Sequence, residues 1–163
     1  MNIFSHTKMR GFTLVEVIIA ISIIAILSMV VIASVQEGRK KSHDTQRMSD
    51  ITQLQLALRL YKDSNNGYPS DAAYASGIVF GEGGALDTEL ASYVSPGMRD
   101  PNGSVTDTTY EYVYDTNFDC SIAGAGKKVL YAKTVEREAT ANWEEVCGTA
   151  VPGSTATYGV ILQ

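Results

Sequence analysis

One uninterrupted apolar run dominates the start of the chain. Residues 12–33 read FTLVEVIIAISIIAILSMVVIA, which is 22 residues with a single charged side chain, Glu16. At about 1.5 Å rise per residue, a helix of this length extends about 33 Å, enough to cross a bilayer core of about 30 Å. The pattern therefore predicts a membrane-spanning helix.

After this run the pattern changes to that of an amphipathic helix. Residues 36–65 contain no proline and one glycine, Gly38. Apolar side chains recur three and four residues apart on one helical face, and charged side chains lie mostly off that face. The apolar positions are Met48, Ile51, Leu54, Leu58 and Tyr61, and the charged positions are Asp44, Asp50, Arg59 and Lys62. The segment Asn65–Pro69, NNGYP, predicts that the helix ends near Asn65.

The rest of the chain carries loop and strand signals. Glycine, serine, alanine and aspartate are frequent in residues 70–109, where a short helix is expected over Leu86–Val94. Strands are expected at Tyr110–Tyr114, Lys128–Val135 and Thr157–Leu162, and their glycine-rich connections favour antiparallel pairing. The predicted fold class is α+β, with one long N-terminal helix, half membrane-spanning and half amphipathic, packed on a small antiparallel β-sheet.

Charge is distributed unevenly along the chain. The net charge is −5 overall, and residues 42–163 carry 8 Lys and Arg against 16 Asp and Glu. An acidic domain binds phosphate backbones poorly, so no nucleic-acid partner is expected. Lys8 and Arg10 precede the apolar run and favour a cytoplasmic N-terminus, but the basic residues 39–41 follow the run directly. Charge counting therefore gives only weak support to an orientation.

The residues offer little for catalysis or metal binding. The two histidines, His6 and His43, precede the domain, and the sequence has no CxxC, HExxH or glycine-rich phosphate loop. We expect neither enzymatic activity, a cofactor nor a metal site. Asp115, Asn117 and Asp119 alternate oxygen side chains that suit calcium, but the glycine and closing glutamate of an EF-hand loop are missing. A solvated turn is the preferred interpretation of these three residues.

Glu16 requires an explanation. A charged side chain within a bilayer costs about 2.5–3.5 kcal/mol on insertion scales. No Lys, Arg or His occurs between Phe12 and Gln36, so Glu16 either lies near the interface in contact with water or has its partner in another molecule. Residues Arg10–Glu16, RGFTLVE, resemble the cleavage and methylation motif of type IV prepilins and type II secretion pseudopilins. Residues Leu58–Pro69 also resemble the end of the helix in major pseudopilins.

The resemblance implies a processing and assembly site. A prepilin peptidase would cut between Gly11 and Phe12 on the cytoplasmic side and methylate the new amine of Phe12. Glu16 would then pair with the Phe12 amine of a neighbouring subunit during assembly. The corresponding segments are a cleaved leader at 1–11, a transmembrane and filament-core helix at 12–35, an amphipathic helix at 36–67, and the loops and sheet of a pilin domain at 68–163.

The implied function is that of a structural subunit of a type IV pilus or pseudopilus. Its partners would be copies of itself, other pilin-like subunits, the peptidase and the assembly machinery. It would be a single-pass membrane protein with a cytoplasmic N-terminus before assembly and part of an extracytoplasmic filament afterwards. An alternative is a minor or tip pilin that acts as an adhesin or in DNA uptake, although the acidic balance argues against DNA. A membrane-anchored enzyme with the same leader is a third alternative, and the scarcity of histidine argues against it.

Cys120 and Cys147 are the only cysteines in the chain. In this interpretation both lie on the exported side of the membrane, where they can form a disulfide. The alternative is a pair of buried free thiols that serve as apolar filler.

Overall fold

The computed structural model describes residues 11–70, 78–81, 85–95, 98–103, 109–148, 151 and 156–163. Residues 1–10 of the expected leader, with Lys8 and Arg10, lie outside this described part, as does the loop dipeptide Pro96-Gly97. The chain forms two compact units, of which the first ends at Gly38 and the second begins at Arg39.

Helix α1, Leu14–Asn65, is the longest element, with 52 residues. It is the one described helix that is long and apolar enough to cross a membrane. Within the first unit, the hydroxyls of Ser22, Ser28 and Ser34 donate to the carbonyl four residues earlier, over 2.8, 2.7 and 3.2 Å. These polar groups are therefore satisfied inside the helix, as an apolar environment requires.

The end of α1 has the geometry expected of the Asn-Asn-Gly sequence. Asn66 adopts a left-handed backbone conformation with φ of 58°, which Asn tolerates better than most residues. The amide of Gly67 donates to the carbonyl of Lys62 over 3.2 Å, which is the long-range bond of a Schellman motif. The predicted end of the helix is thus confirmed.

The second unit contains a four-stranded antiparallel sheet whose strands are ordered as they occur in the chain. The strands are β1 Ile78–Val79, β2 Tyr112–Cys120, β3 Gly124–Ala132 and β4 Tyr158–Leu162. Among the described residues, the other elements of this unit are α2 Ala85–Glu89, a 3-10 helix Glu138–Thr140 and α3 Trp143–Val146. The α+β prediction is confirmed, and β2, β3 and β4 correspond to the three expected strands.

One face of the sheet packs against the part of α1 that belongs to the second unit. Leu54 and Leu58 of α1 are fully buried in a cluster with Tyr112, Tyr114 and Leu130 of the strands. Burial of a leucine side chain stabilises a fold by about 1.5–3 kcal/mol. The hydroxyl of Tyr114 donates to the carbonyl of Pro69 over 2.9 Å, so this core also fixes the segment that follows the helix.

The other face of the sheet is covered by a second cluster around Trp143. The indole ring lies 5.6 Å from the Phe118 ring and 5.2 Å from the Tyr131 ring, centroid to centroid. Val113 and Val129 are buried in the same cluster. Because successive strand residues face opposite sides, a sheet covered on both faces needs apolar or aromatic residues at consecutive positions. This explains the continuous run from Tyr112 to Tyr114 in β2.

The buried face of α1 differs from the predicted one. Met48, predicted to be on the core face, is 40% exposed, whereas Asp44 and Asp50, predicted mostly off it, are only 2% and 8% exposed. The prediction was wrong for these three residues. Asp44, Arg47 and Asp50 lie three residues apart and are buried on the side that continues into Ile51. Charged side chains thus occupy the start of the core-facing stripe.

Strand β2 is longer than expected. The segment Asp115–Asp119, interpreted as a solvated turn, lies within this strand, and that prediction was wrong. The pairing with β3 shifts register between Asp115 and Phe118 and again between Phe118 and Cys120. Such irregularities accommodate extra residues within a ladder. The partner strand supplies backbone hydrogen bonds that the local composition does not reveal.

The edge strand β4 is hydrogen-bonded by the side chain of Asn142. The carboxamide of Asn142 donates to the carbonyl of Gly159 over 3.1 Å and accepts from its amide over 2.8 Å. It thereby pairs with this strand as a peptide group would and protects part of an exposed edge. Gly159 is itself tightly enclosed, because a β-carbon there would lie 2.6 Å from Cβ of Tyr131 and 2.7 Å from Cζ3 of Trp143.

We predict that Gly159→Ala destabilises the domain. The added methyl group collides with Tyr131 and Trp143, and overpacking of this kind costs about 1–3 kcal/mol. The measurement is denaturant unfolding of the purified full chain in detergent, followed by Trp143 fluorescence. Gly67→Ala is the matched control, since no described atom lies within 4 Å of the place that its added β-carbon would take. Equal midpoints for the two variants would contradict the packing described here.

Candidate functional site

Helix α1 begins with a capping box formed by Thr13 and Glu16. The Thr13 amide donates to Oε2 of Glu16 over 2.8 Å, and the Thr13 hydroxyl donates to the same oxygen over 2.7 Å. The Glu16 amide in turn approaches the Thr13 hydroxyl oxygen at 3.3 Å. This reciprocal arrangement satisfies two amide groups that the first turn of a helix leaves without intrahelical partners.

The capping box corrects the expectation that Glu16 has no partner within its own chain. That expectation considered cations alone, whereas Thr13 supplies neutral donors, and the T-x-x-E spacing of a capping box is visible in the sequence. Both bonds from Thr13 reach Oε2. Among the described residues, none donates a hydrogen bond to Oε1 of Glu16. One carboxylate oxygen therefore helps to begin the helix.

Gly11 and Phe12 immediately precede the cap. The Phe12 side chain is 87% exposed, so it makes little contact with the rest of the chain. No described atom lies within 4 Å of the position that a β-carbon would take at Gly11. The described fold therefore gives no steric reason for a glycine at this position.

A second polar site lies inside the domain, where Arg47 is fully buried. Its Nε and Nη2 atoms donate to the two oxygens of Asp100 over 2.7 and 2.8 Å, in a bidentate pair. Its Nη1 atom donates to Asp44 over 2.7 Å and to Glu136 over 3.2 Å. The guanidinium also lies over the ring of Tyr110, 5.2 Å from its centroid. Bidentate arginine–carboxylate pairs combine strength with a defined geometry.

The carboxylates around Arg47 are themselves held by neighbouring loops. Asp44 accepts the amides of Glu136 and Arg137 over 2.8 and 2.9 Å. Oε1 of Glu136 lies 2.7 Å from Nδ1 of His43 and accepts a bond from the Asn102 side chain over 2.8 Å. The network therefore fastens α1 to two loops that are far away in the sequence.

The electrostatics of this network favour a charged arginine. Burial alone lowers the pKa of Arg47, but its hydrogen bonds to Asp100, the charge of Asp100, and its hydrogen bonds to Asp44 and Glu136 raise that pKa above the ordinary value. Burial raises the pKa of Asp50, against the hydrogen bond that the Tyr112 hydroxyl donates to it over 2.7 Å. Burial and the neighbouring Asp50 also raise the pKa of the Tyr112 phenol. The network thus favours the charged form of Arg47, whereas burial favours the neutral forms of Asp50 and Tyr112.

The described residues contain no group of three or more His, Cys, Asp or Glu side chains that could hold a metal ion. Of the three residues considered for calcium, Asp115 accepts the amide of Asn117 over 2.8 Å within β2. This local bond is the structural role that the described geometry gives to Asp115.

Cys120 and Cys147 form a disulfide, with the two sulfurs 2.00 Å apart and the Cα atoms 4.6 Å apart. The expected bond is therefore present. It joins the end of β2 to the residue after α3, and both cysteines are fully buried in the cluster around Trp143. A link across a loop of this size stabilises a fold by roughly 3–4 kcal/mol in the chain-entropy model.

Comparison with known proteins finds one family model and several similar proteins. Residues 6–32 match the family model described as the prokaryotic N-terminal methylation motif. The chain is 38% identical over 66 residues to type II secretion system core protein G of Pectobacterium carotovorum subsp. carotovorum, covering 40% of this chain and 42% of that protein. The Escherichia coli protein of the same name is 38% identical over 63 residues, covering 39% and 43%.

A longer match extends into the domain. The type IV wide pilus major component PilA4 of Thermus thermophilus is 29% identical over 129 residues, covering 78% of this chain and 83% of that protein. The chain spans about two fifths of the length of the two secretion proteins. No solved structure matches the chain at a significant level. The chain therefore carries the methylation motif and is similar to both pseudopilin and pilin subunits.

We predict that Arg47→Met destabilises the domain by about 3–5 kcal/mol, because it keeps the length of the stem but leaves the buried carboxylates of Asp44 and Asp100 and the partly buried one of Glu136 without their cation. Arg47→Lys retains the charge but loses the bidentate pair, so it should lie between the wild type and Arg47→Met. Denaturant unfolding of the full chain measures the loss. Arg59→Met, at an exposed position of the same helix, is the control. An Arg47→Met variant as stable as this control would show that the network contributes nothing to stability.

Proposed function

We propose that this chain is a structural subunit of a type IV pilus or secretion pseudopilus, which polymerises through its N-terminal helix. The observation that carries the proposal is the combination of the methylation motif at residues 6–32 with an apolar helix that begins within it. The similarity to a pilus component across most of the chain supports the same interpretation for the domain. The apolar helix and these similarities support membrane anchoring before assembly.

In this proposal the precursor is cut between Gly11 and Phe12 by a prepilin peptidase. The leader, with Lys8 and Arg10, stays on the cytoplasmic side, and the new amine of Phe12 is methylated. The open space around Gly11 supports this assignment, because the described fold does not itself need a glycine there. A residue without a side chain suits a narrow protease subsite.

Assembly would use Oε1 of Glu16, the oxygen to which no described residue donates. In the membrane an unpaired carboxylate is costly, and the capping bonds from Thr13 offset part of that cost in the single subunit. A neighbouring Phe12 amine would approach Oε1 without displacing Thr13. Pairing two opposite charges in a low-dielectric environment favours a docked neighbour over a lone subunit, because neither charge is then left without compensation.

The domain would lie outside the cytoplasm, with the amphipathic part of α1 supporting the sheet. Its disulfide suits an oxidising compartment, and its acidic balance suits a solvated filament surface. The partners would be copies of the same chain, other pilin-like subunits and the assembly machinery. The similarity to secretion and pilus proteins supports a structural role in either type of filament.

We predict that the mature chain begins at Phe12 and carries one N-methyl group. Intact-mass measurement of protein from filaments, in a cell with active peptidase, tests this directly. Gly11→Leu should block cutting, because the side chain must enter the subsite, while Gly11→Ala should be cut in part. Neither change should alter the unfolding of the domain, since no described atom lies near this position. A filament protein that still begins at Met1 would contradict the processing step.

We predict that Glu16→Gln lowers filament yield severely without impairing membrane insertion. Glutamine can still accept the capping bonds from Thr13, so this variant removes the charge and keeps the cap. Thr13→Val is the matched control, because it removes the hydroxyl and keeps the carboxylate. The assay is the filament yield relative to the amount of inserted precursor. If Thr13→Val loses assembly and Glu16→Gln does not, then Glu16 acts as a cap and not as an intersubunit partner.

A further inference from the structure

A short band of positive charge follows the apolar segment of α1. The side chains of Arg39, Lys40 and Lys41 are all exposed, and we refer to these three residues as the basic collar. Glu37 offsets one of their charges, so residues 37–41 carry a net charge of +2. The collar lies outside both the buried core of the domain and the processing motif, so neither accounts for its charge.

Beyond the collar, the next exposed charged side chain of the described helix comes several turns later. In the segment that follows it, the charged residues Asp44, Arg47 and Asp50 are buried, and the next exposed charge on α1 is Arg59. The domain as a whole is acidic, because residues 42–163 carry twice as many acidic as basic side chains. The collar is therefore a local positive charge that directly precedes an acidic domain.

The position of the collar matches the thickness of a bilayer. The segment from Val17 to Gln36 has no charged side chain. Its 20 residues extend about 30 Å at about 1.5 Å per residue, which equals the thickness of a typical hydrocarbon core. If this segment fills the core, then the collar lies in the headgroup layer on the side opposite the N-terminus. Long basic side chains are well suited to reach phosphate groups from there.

We propose that the basic collar binds the phosphates of anionic lipid headgroups on the membrane face opposite the N-terminus. The proposal rests on the membrane insertion included in the proposed function above. Charge complementarity favours a lipid partner, since an anionic surface attracts the collar and repels the acidic domain. The collar would thereby fix the depth of the helix and hold the domain away from the membrane. Filament assembly would have to release these contacts.

The test uses the full-length chain reconstituted into vesicles of phosphatidylcholine alone, or of phosphatidylcholine with phosphatidylglycerol. A membrane-impermeant amine reagent labels lysines, and mass spectrometry reads each site. Labelling of Lys40 and Lys41 should be about fivefold slower or more in the anionic vesicles, because a basic residue gains about 1 kcal/mol near such a surface. Labelling of Lys127 and Lys128 of β3 identifies the molecules whose domain faces the reagent. The rate of this labelling should be the same in both types of vesicle. High salt should remove the protection.

Two arginine variants separate the collar from general charge effects. Arg39→Gln keeps both reporter lysines and should weaken their protection in anionic vesicles. Arg59→Gln removes the same charge from an exposed position in the same helix and should leave the protection unchanged. Equal labelling in both types of vesicle would overturn the proposal. Protection that is independent of lipid charge but rises with the ratio of protein to lipid would also overturn it, because it would identify a second copy of the chain as the partner.

Alkaline extraction of the vesicle-bound chain distinguishes a failure of the collar proposal from a failure of the proposed function. A chain that is extracted by alkali would contradict membrane insertion, on which both proposals depend. A chain that resists extraction but shows no lipid-dependent protection would contradict the collar alone.

Discussion

The burial of Arg47 is the interaction on which the arrangement of the domain depends. Removing a guanidinium from water costs free energy unless its N–H groups find acceptors. Here three carboxylates accept hydrogen bonds from its three nitrogen atoms. Asp44 comes from the helix itself, whereas Asp100 and Glu136 come from two separate loops. The two loops must therefore reach the helix before the arginine can be buried. The network couples the position of α1 to the correct closure of the chain around it.

This inward placement of charge has a consequence for the opposite side of α1. From residue 44 to residue 58 every charged side chain is buried, so the exposed positions are uncharged. The hydroxyls of Thr45 and Thr52 donate to carbonyls four residues earlier, over 2.8 Å in each case. Ser22, Ser28 and Ser34 do the same in the apolar segment. The same local device thus reduces the polarity of the helix surface in both units.

The features predicted correctly are those that depend on residues close together in the sequence. Apolar periodicity identified the helix, the Asn-Asn-Gly signal identified its end, and alternating aromatic residues identified the start of β2. The charged part of the buried face was not predicted, because the burial of Asp44 and Asp50 depends on hydrogen-bond partners more than 50 residues away in the sequence. The length of β2 was missed for the same reason, since Asp115–Asp119 has the composition of a turn and becomes a strand by pairing with β3.

In the proposed assembly, Glu16 at the start of the helix would serve both a single subunit and its neighbour. A glutamate with only an intermolecular partner would enter the membrane without compensation and would raise the cost of insertion. A glutamate fully occupied by its own chain would have nothing to offer a neighbour. Glu16 avoids both extremes, because Thr13 engages Oε2 and no described donor engages Oε1. In the proposed assembly, this position three residues after Thr13 would reconcile insertion with pairing, since Thr13 need not leave when the amine of a neighbouring subunit arrives.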